Sequence, residues 1–111
     1  MDTILNKIRD ANLKRKVGNM DRRILKIGEE FGEACQAYLS VTSKNNDKKK
    51  TWDDVREELT DVLIVTLDVL LTEMPDEANA DIEARLHKEL DRKLAKWDKK
   101  SKNQKVPDDA E

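Results

Sequence analysis

The scarcity of turn-forming residues constrains the fold of this chain more than any other feature. Only three glycines and two prolines occur among 111 residues, whereas an all-β fold needs such residues at many tight turns. Leucine, alanine, glutamate, lysine and arginine, which all favour helices, make up much of the rest. The sequence therefore predicts an all-α fold.

Apolar residues recur at spacings of three and four along most of the chain, which is the pattern of helices with one buried face. Thr51 is a suitable N-cap, and Asp54 three residues later predicts a variant of the capping box. Gly18 and Asn19 are predicted to end the first helix, and Cys35 is predicted to lie buried on the apolar stripe of the second. The predicted helices span residues 3–16, 20–42, 52–72 and 78–98, with a mobile polar loop at 43–50 and a disordered charged tail at 99–111.

Size, charge and cysteine content exclude several classes of function. The chain is predicted to form one small domain, residues 1–98, and its net charge of −2 offers no basic surface for a nucleic acid polymer. A single cysteine excludes an intramolecular disulfide and suits a reducing cytoplasm. No signal peptide or membrane-spanning run is recognisable, so we expect a cytoplasmic protein without a membrane partner. Because so small a core is marginal on its own, self-association is also expected.

Two clusters of acidic residues carry the chemical signal of the sequence. Glu30 and Glu33 stand three positions apart, as do Glu58 and Asp61, so each pair projects from one face of its helix. Antiparallel packing of the two helices would bring four carboxylates together, and four such charges repel strongly unless cations lie between them. Hard divalent cations such as Mg²⁺ bind oxygen ligands of this kind and also bind phosphates. The sequence therefore predicts a divalent-cation site.

An ordinary solvated surface is the competing interpretation of these acids. In a chain so rich in Asp and Glu, either cluster alone more often marks an exposed helix face. The combination is harder to explain in that way, because Asp61 and Asp68 flank an apolar segment, residues 62–67. Burial of that segment would make unpaired carboxylates costly, and metal ions would remove the cost.

The sequence around both acidic clusters resembles that of a known family. Residues 27–34, with a glycine between glutamates, and residues 57–64 are similar to the two motifs of the MazG-like, all-α nucleoside triphosphate pyrophosphohydrolases. The resemblance covers residues 20–98. It implies a four-helix protomer that assembles into a dimer or tetramer, with active sites partly at the subunit interface. It also implies hydrolysis of a ribo- or deoxyribonucleoside triphosphate to the monophosphate and pyrophosphate, in the control or supply of nucleotide pools.

The resemblance also implies roles for the acidic residues. Mg²⁺, or Mn²⁺ in its place, would be held by Glu30, Glu33, Glu58 and Asp61. Glu33 would thus serve catalysis directly. Glu29 would be an accessory catalytic carboxylate that holds a further metal ion or orients the attacking water.

Substrate contacts are predicted for four further residues, each with a simpler alternative. Lys88 and Arg92 resemble a pair that family members direct at the phosphates, but they equally suit a solvated helix face. Trp52 offers an indole that can stack on a base, although it more often anchors a core or an interface. Asp68 could contact a sugar hydroxyl, pair with a cation across an interface, or join the metal cluster.

Several choices stay open at the level of sequence. The lysines at 48–50 can steer phosphates or simply keep a loop soluble. Val65 stands where some relatives carry a residue that reads the base, so base and sugar preference are not predicted. The alternatives to an enzyme are a non-catalytic helical oligomer that serves as an interaction module and a metal-binding bundle without hydrolase activity.

Overall fold

The structure is a computed structural model that describes residues 2–14, 19–45 and 49–103. Within these ranges the chain forms four helices and no strand, which confirms the predicted all-α class. The helices are α1 (Asp2–Lys14), α2 (Met20–Thr42), α3 (Trp52–Glu73) and α4 (Asn79–Asn103).

The chain divides into two compact units, Met1–Asp76 and Glu77–Glu111. The first unit contains α1, α2 and α3, and the second contains α4. In the first unit α3 packs against both α1 and α2. Because Arg23 contacts Asp68 and Glu33 lies near Glu58, α2 and α3 run antiparallel. This arrangement brings the two acidic clusters to the same level of the helix pair.

Side-chain caps fix where α2 and α3 begin. Asn19 has extended backbone angles (φ −65°, ψ 178°), and its side chain accepts a hydrogen bond from the backbone N–H of Arg22 at 3.1 Å. Asn19 therefore starts α2, and the prediction that it ends α1 in a left-handed cap is wrong. Thr51 and Asp54 form the predicted capping box, in which the backbone N–H of Thr51 donates to Asp54 Oδ2 at 2.7 Å. Gly18 lies outside the described residues.

The core of the first unit is built from small and branched side chains. The buried apolar residues here are Leu5 and Ile8 of α1, Ala34 and Ala37 of α2, and Val55, Leu67 and Leu71 of α3.

The face that α2 turns toward α3 is the alanine face, because alanines let two helices approach closely. Successive residues are rotated by about 100° around the helix axis. The apolar stripe that contains Phe31, Cys35 and Tyr38 therefore lies on a different side of α2 from the alanines. Cys35 is exposed, and its predicted burial is wrong for this reason. Phe31 and Tyr38, on the same stripe, are also exposed.

The observed helix boundaries lie within two residues of the predicted ones, except at the end of α4. α2 has the predicted bounds, whereas α4 continues through Asn103, inside the segment predicted to be a disordered tail. Residues 15–16, 46–48 and 104–111 lie outside the described residues, so the predictions for them stay predictions. Among the described helices, none combines the length and the apolar character that crossing a membrane requires.

Candidate metal centre between two helices

Three of the predicted carboxylates meet where α2 and α3 face each other. One oxygen each from Glu30, Glu33 and Glu58 lies within 4.8 Å of the others. The spacing of three residues places Glu30 and Glu33 on adjacent turns of α2, and the antiparallel packing sets Glu58 of α3 opposite them. Helix periodicity and the antiparallel pairing thus form the cluster from residues far apart in the sequence.

The cluster is partly buried, and one of its carboxylate oxygens has no hydrogen-bond partner in the part of the chain that the structure describes. The Glu30 side chain is 12% exposed, whereas Glu33 is exposed. Glu58 is half-buried, and its Oε2 is inaccessible and has no hydrogen-bond partner among the described residues. A buried acceptor without a donor costs free energy, and more so when it is charged. A cation among the three carboxylates would remove both this cost and their mutual repulsion.

The donor set suits a hard divalent cation. All three candidate ligands are carboxylate oxygens, the donors that Mg²⁺ and Ca²⁺ prefer, and Mg²⁺ typically uses one or two carboxylates together with phosphate oxygens and water. The cluster contains neither imidazole nor thiolate, the ligands typical of zinc sites. The residues present therefore fit the cation that the sequence predicts.

Asp61 lies beside this cluster and is not one of its three members. It is exposed and lines a cavity of about 410 Å³ together with Glu30. The rest of the lining combines two lysines with an apolar floor: Lys7, Lys26, Ile8, Ala11, Ile64 and Val65. The predicted fourth ligand is therefore one helical turn from Glu58, at the rim of an adjoining cavity.

Glu33 and Glu58 face a second, smaller cavity of about 210 Å³. Its lining is largely polar and includes Gln36, Ser40 and Lys50. Lys50 is the residue of the predicted lysine loop that the structure brings to the cluster, whereas Lys48 lies outside the described residues. The loop thus supplies a positive charge to the cavity that Glu33 and Glu58 line.

Lys26 forms ion pairs with the first acidic motif and was not predicted from the sequence. Its Nζ lies 3.4 Å from Glu30 Oε1 and 3.5 Å from Glu29 Oε2. The hydrogen bond to Glu30, followed by the charge of Glu29, raises the pKa of Lys26. The sequence does contain an indication of these ion pairs, because Lys26 stands four residues before Glu30 and three before Glu29, the spacings at which helix side chains meet.

Asp68 has a partner of its own, at a distance from the three glutamates. Arg23 Nη1 donates to both oxygens of Asp68 at 2.5 and 2.6 Å, and the two side chains are only 12% and 8% exposed. Thr72 Oγ1 lies 3.5 Å from Asp68 Oδ1. An ion pair within one chain therefore explains the burial of this acid, and we leave it out of the proposed site. Arg23 stands 45 positions earlier, so no local pattern indicated it.

Substrate contacts were also predicted for Trp52, Lys88 and Arg92. Trp52 is half exposed at the start of α3 and meets Tyr38 edge to face, with ring centroids 5.8 Å apart. Lys88 and Arg92 are exposed on α4, in the second compact unit, where Arg92 pairs with Glu89 at 2.9 Å. Contact of these residues with a nucleotide stays a prediction.

Comparisons of the chain with profiles of protein families, with curated proteins and with solved structures found no match. Its function must therefore be inferred from its own residues.

Proposed function

We propose that this chain is a divalent-cation-dependent nucleoside triphosphate pyrophosphohydrolase, which converts a ribo- or deoxyribonucleoside triphosphate and water into the monophosphate and pyrophosphate. The observation that carries the proposal is the convergence of Glu30, Glu33 and Glu58 from two helices, with a buried and unpartnered oxygen on Glu58. The resemblance of both acidic segments to the MazG-like motifs points to the same reaction. The proposed setting is the cytoplasm, with nucleotide pools as the source of substrate.

The proposed roles follow from position and charge. Glu30, Glu33 and Glu58 hold the cation, and Asp61 extends the acidic edge toward the larger cavity. Mg²⁺ or Mn²⁺ bound there supplies polarisation of the phosphoryl oxygens and a lower pKa for a bound water. Glu29, exposed next to Glu30, orients the attacking water.

The cavity beside Glu30 has the composition that a nucleotide requires. Its apolar floor, with Ile8 and Val65 as members, suits a base or sugar, and Lys7 and Lys26 suit anionic phosphates. Its volume of about 410 Å³ lies within the range of about 300–1,000 Å³ that is typical of small-molecule sites. An apolar floor rejects related bases poorly, so we expect little base selectivity from this cavity.

Self-association as a dimer or tetramer is part of the proposal, and a second copy of the chain is the partner we propose. One stripe of α2, with Ile24, Phe31 and Tyr38 as its large members, carries no charge and is exposed. Gly28 and Gly32 adjoin this stripe, and a Cβ built at either position would meet nothing within 4 Å. A glycine inside a helix costs roughly 0.5–1 kcal/mol relative to alanine, and close approach of another helix would account for two of them.

An apolar groove continues this uncharged stripe onto α3. The groove measures about 460 Å³ and is lined by residues of both helices: Phe31, Ala34, Cys35, Tyr38, Leu39, Trp52, Val55 and Leu59. Burial of such a surface between two copies would supply the apolar contact that a small core lacks. The same groove is the observation that favours the second candidate, a non-catalytic interaction module.

The test is product analysis with purified protein. Each standard ribo- and deoxyribonucleoside triphosphate is incubated with Mg²⁺, and the products are separated by chromatography. The proposal predicts a monophosphate and pyrophosphate in equal amounts, lost on chelation and lost in Glu58→Gln. The matched control is Glu73→Gln, which removes one carboxylate near the end of α3, well away from the cluster, and should retain activity.

Two outcomes would contradict the proposal in different ways. A diphosphate and orthophosphate would retain the metal centre but overturn the assigned bond. Complete absence of turnover, in a folded protein that binds no divalent cation, would overturn the enzyme and leave the interaction module.

A further inference from the structure

Lys26 forms ion pairs with two carboxylates of the proposed site, those of Glu29 and Glu30. Its Nζ lies one helical turn before Glu29 and Glu30 and contacts both, at 3.5 and 3.4 Å. Glu30 is also one of the three residues whose oxygens cluster. The same carboxylate is therefore both the partner of an internal cation and a proposed ligand of an external one.

The ammonium group of Lys26 has room to change its position. Its side chain is 52% exposed, and four rotatable bonds separate the charge from the helix. Lys26 also lines the cavity of about 410 Å³, together with Lys7. Lys26 therefore already stands at the edge of the cavity where we place the phosphates.

We propose that Lys26 is an internal counter-ion of this site. It neutralises Glu29 and Glu30 when no divalent cation is bound, competes with that cation for Glu30, and contacts a phosphate group once it is displaced. The inference rests on the proposed function, because it requires a cation at Glu30 and a phosphate in the adjoining cavity.

Lys26 should compete only weakly for Glu30, so a divalent cation can displace its ammonium group. Pairs of lysine and glutamate one turn apart on an exposed helix surface are weak and are screened by salt. A divalent ion carries twice the charge and meets three carboxylates at once. Removal of the ammonium should therefore strengthen cation binding by about threefold to tenfold at low ionic strength, because both the competition and the repulsion disappear.

The two halves of the inference predict changes of opposite sign in one variant. In calorimetric titrations with Mn²⁺ alone, Lys26→Met should bind about threefold to tenfold more tightly than the unchanged chain. With inorganic triphosphate as the probe, in excess Mg²⁺, the same variant should bind about fivefold to tenfold more weakly, because one charged contact is lost.

The matched control is Lys44→Met, which removes the same charge just beyond the far end of α2. It should change neither affinity by more than about twofold, because Lys44 is about three helical turns from Glu33 and a single charge acts weakly through water at that distance. Lys26 and Lys44 are both exposed, so both variants should fold, which circular dichroism checks.

The outcomes separate this inference from the function on which it rests. Equal or weaker Mn²⁺ binding by Lys26→Met would overturn the competition, and unchanged triphosphate binding would overturn the phosphate contact. Mn²⁺ binding that appears only in Lys26→Met would support the competition in its strongest form. If neither protein binds Mn²⁺, the metal centre fails, and both the proposed function and this inference fail with it.

Discussion

The buried ion pair between Arg23 and Asp68 provides a quantitative test of the fold that positions the site. It joins the first part of α2 to the last part of α3, with Arg23 Nη1 donating to both carboxylate oxygens. Arg23→Met removes the charge and keeps much of the side-chain length. Asp68 would then lose its ion-pair partner and keep the contact with the hydroxyl of Thr72, 3.5 Å away.

The expected loss of stability is large because Asp68 is almost completely buried. Removing one partner of a buried pair typically costs about 3–5 kcal/mol, since the other charge is left unpaired. We expect about 3 kcal/mol here, at the lower end, because Arg23 retains 12% exposure. That is a large part of the roughly 5–15 kcal/mol by which a domain is stable.

Urea denaturation measures this loss in the first compact unit. Trp52 and Trp97 both fluoresce, so a Trp97→Phe background leaves Trp52 as the reporter of the first unit. The variant Arg56→Met is the control, because it makes the same substitution in the same unit and the pair of Arg56 with Asp53 is exposed on both sides, where ion pairs contribute little to stability.

The double variant Arg23→Met with Asp68→Leu distinguishes two causes of the lost stability, an unpaired buried charge and a change in packing. It should recover much of the lost stability, because replacing a buried pair by apolar residues of similar volume is often neutral. If Arg23→Met alone costs no more than the surface control, the pair does not stabilise α2 against α3. The reasoning about Asp68 would then be refuted.

Three further predictions concern a helix cap, the apolar stripe and the lysine loop. The N–H and hydroxyl of Thr51 lower the pKa of Asp54, so its stabilisation is complete above about pH 4 and is lost as pH falls through the lower folded pKa. The melting temperature of Asp54→Asn should therefore fall below that of the unchanged chain near neutral pH and match it in strong acid; a constant gap would contradict this. Phe31→Glu should shift light-scattering mass toward the monomer, because it buries a charge in the proposed interface, whereas an unchanged mass would exclude that stripe as the interface. Lys50→Met should raise the Michaelis constant for the nucleotide severalfold, because it removes a positive charge near Glu33 and Glu58 that attracts the anionic substrate; an unchanged constant would exclude this role for Lys50.

Local patterns predicted the helices well, and they predicted the rotation of α2 less well. The bounds of α2 and the cap at Thr51 depend on residues within one turn of each other, which the sequence displays directly. Which face of α2 points inward depends on how closely α3 can approach. The alanines at 34 and 37 allow close approach, and so they are buried while Phe31 remains exposed.

Some residues of the candidate site could be predicted from local sequence patterns, whereas the partner of Asp68 depends on a contact between distant parts of the chain. Helix spacing and antiparallel packing were sufficient to bring Glu30, Glu33 and Glu58 together. The ion pair of Asp68 with Arg23 depends on two residues 45 positions apart, and no periodicity in either helix indicates such a partner. Lys26 had a local signal, its one-turn spacing from Glu30, but such pairs are common on helix surfaces and do not by themselves indicate a role at a site.

The central claim, a divalent-cation centre at Glu30, Glu33 and Glu58, is tested most directly by melting curves of Glu58→Gln with and without Mg²⁺. In a chelator, the variant should melt at or above the temperature of the unchanged chain. It removes one of three clustered charges, and its amide can donate a hydrogen bond to a neighbouring carboxylate. At a Mg²⁺ concentration of roughly ten times the dissociation constant, the unchanged chain should gain about 1.4 kcal/mol. That gain corresponds to several degrees in a domain of this size.

Glu58→Gln should lose most of that gain, so the order of the two melting temperatures should reverse when Mg²⁺ is added. The control Glu73→Gln should follow the unchanged chain in both conditions. An equal rise in all three proteins, or no rise in any of them, would contradict the assignment of these glutamates to a metal centre.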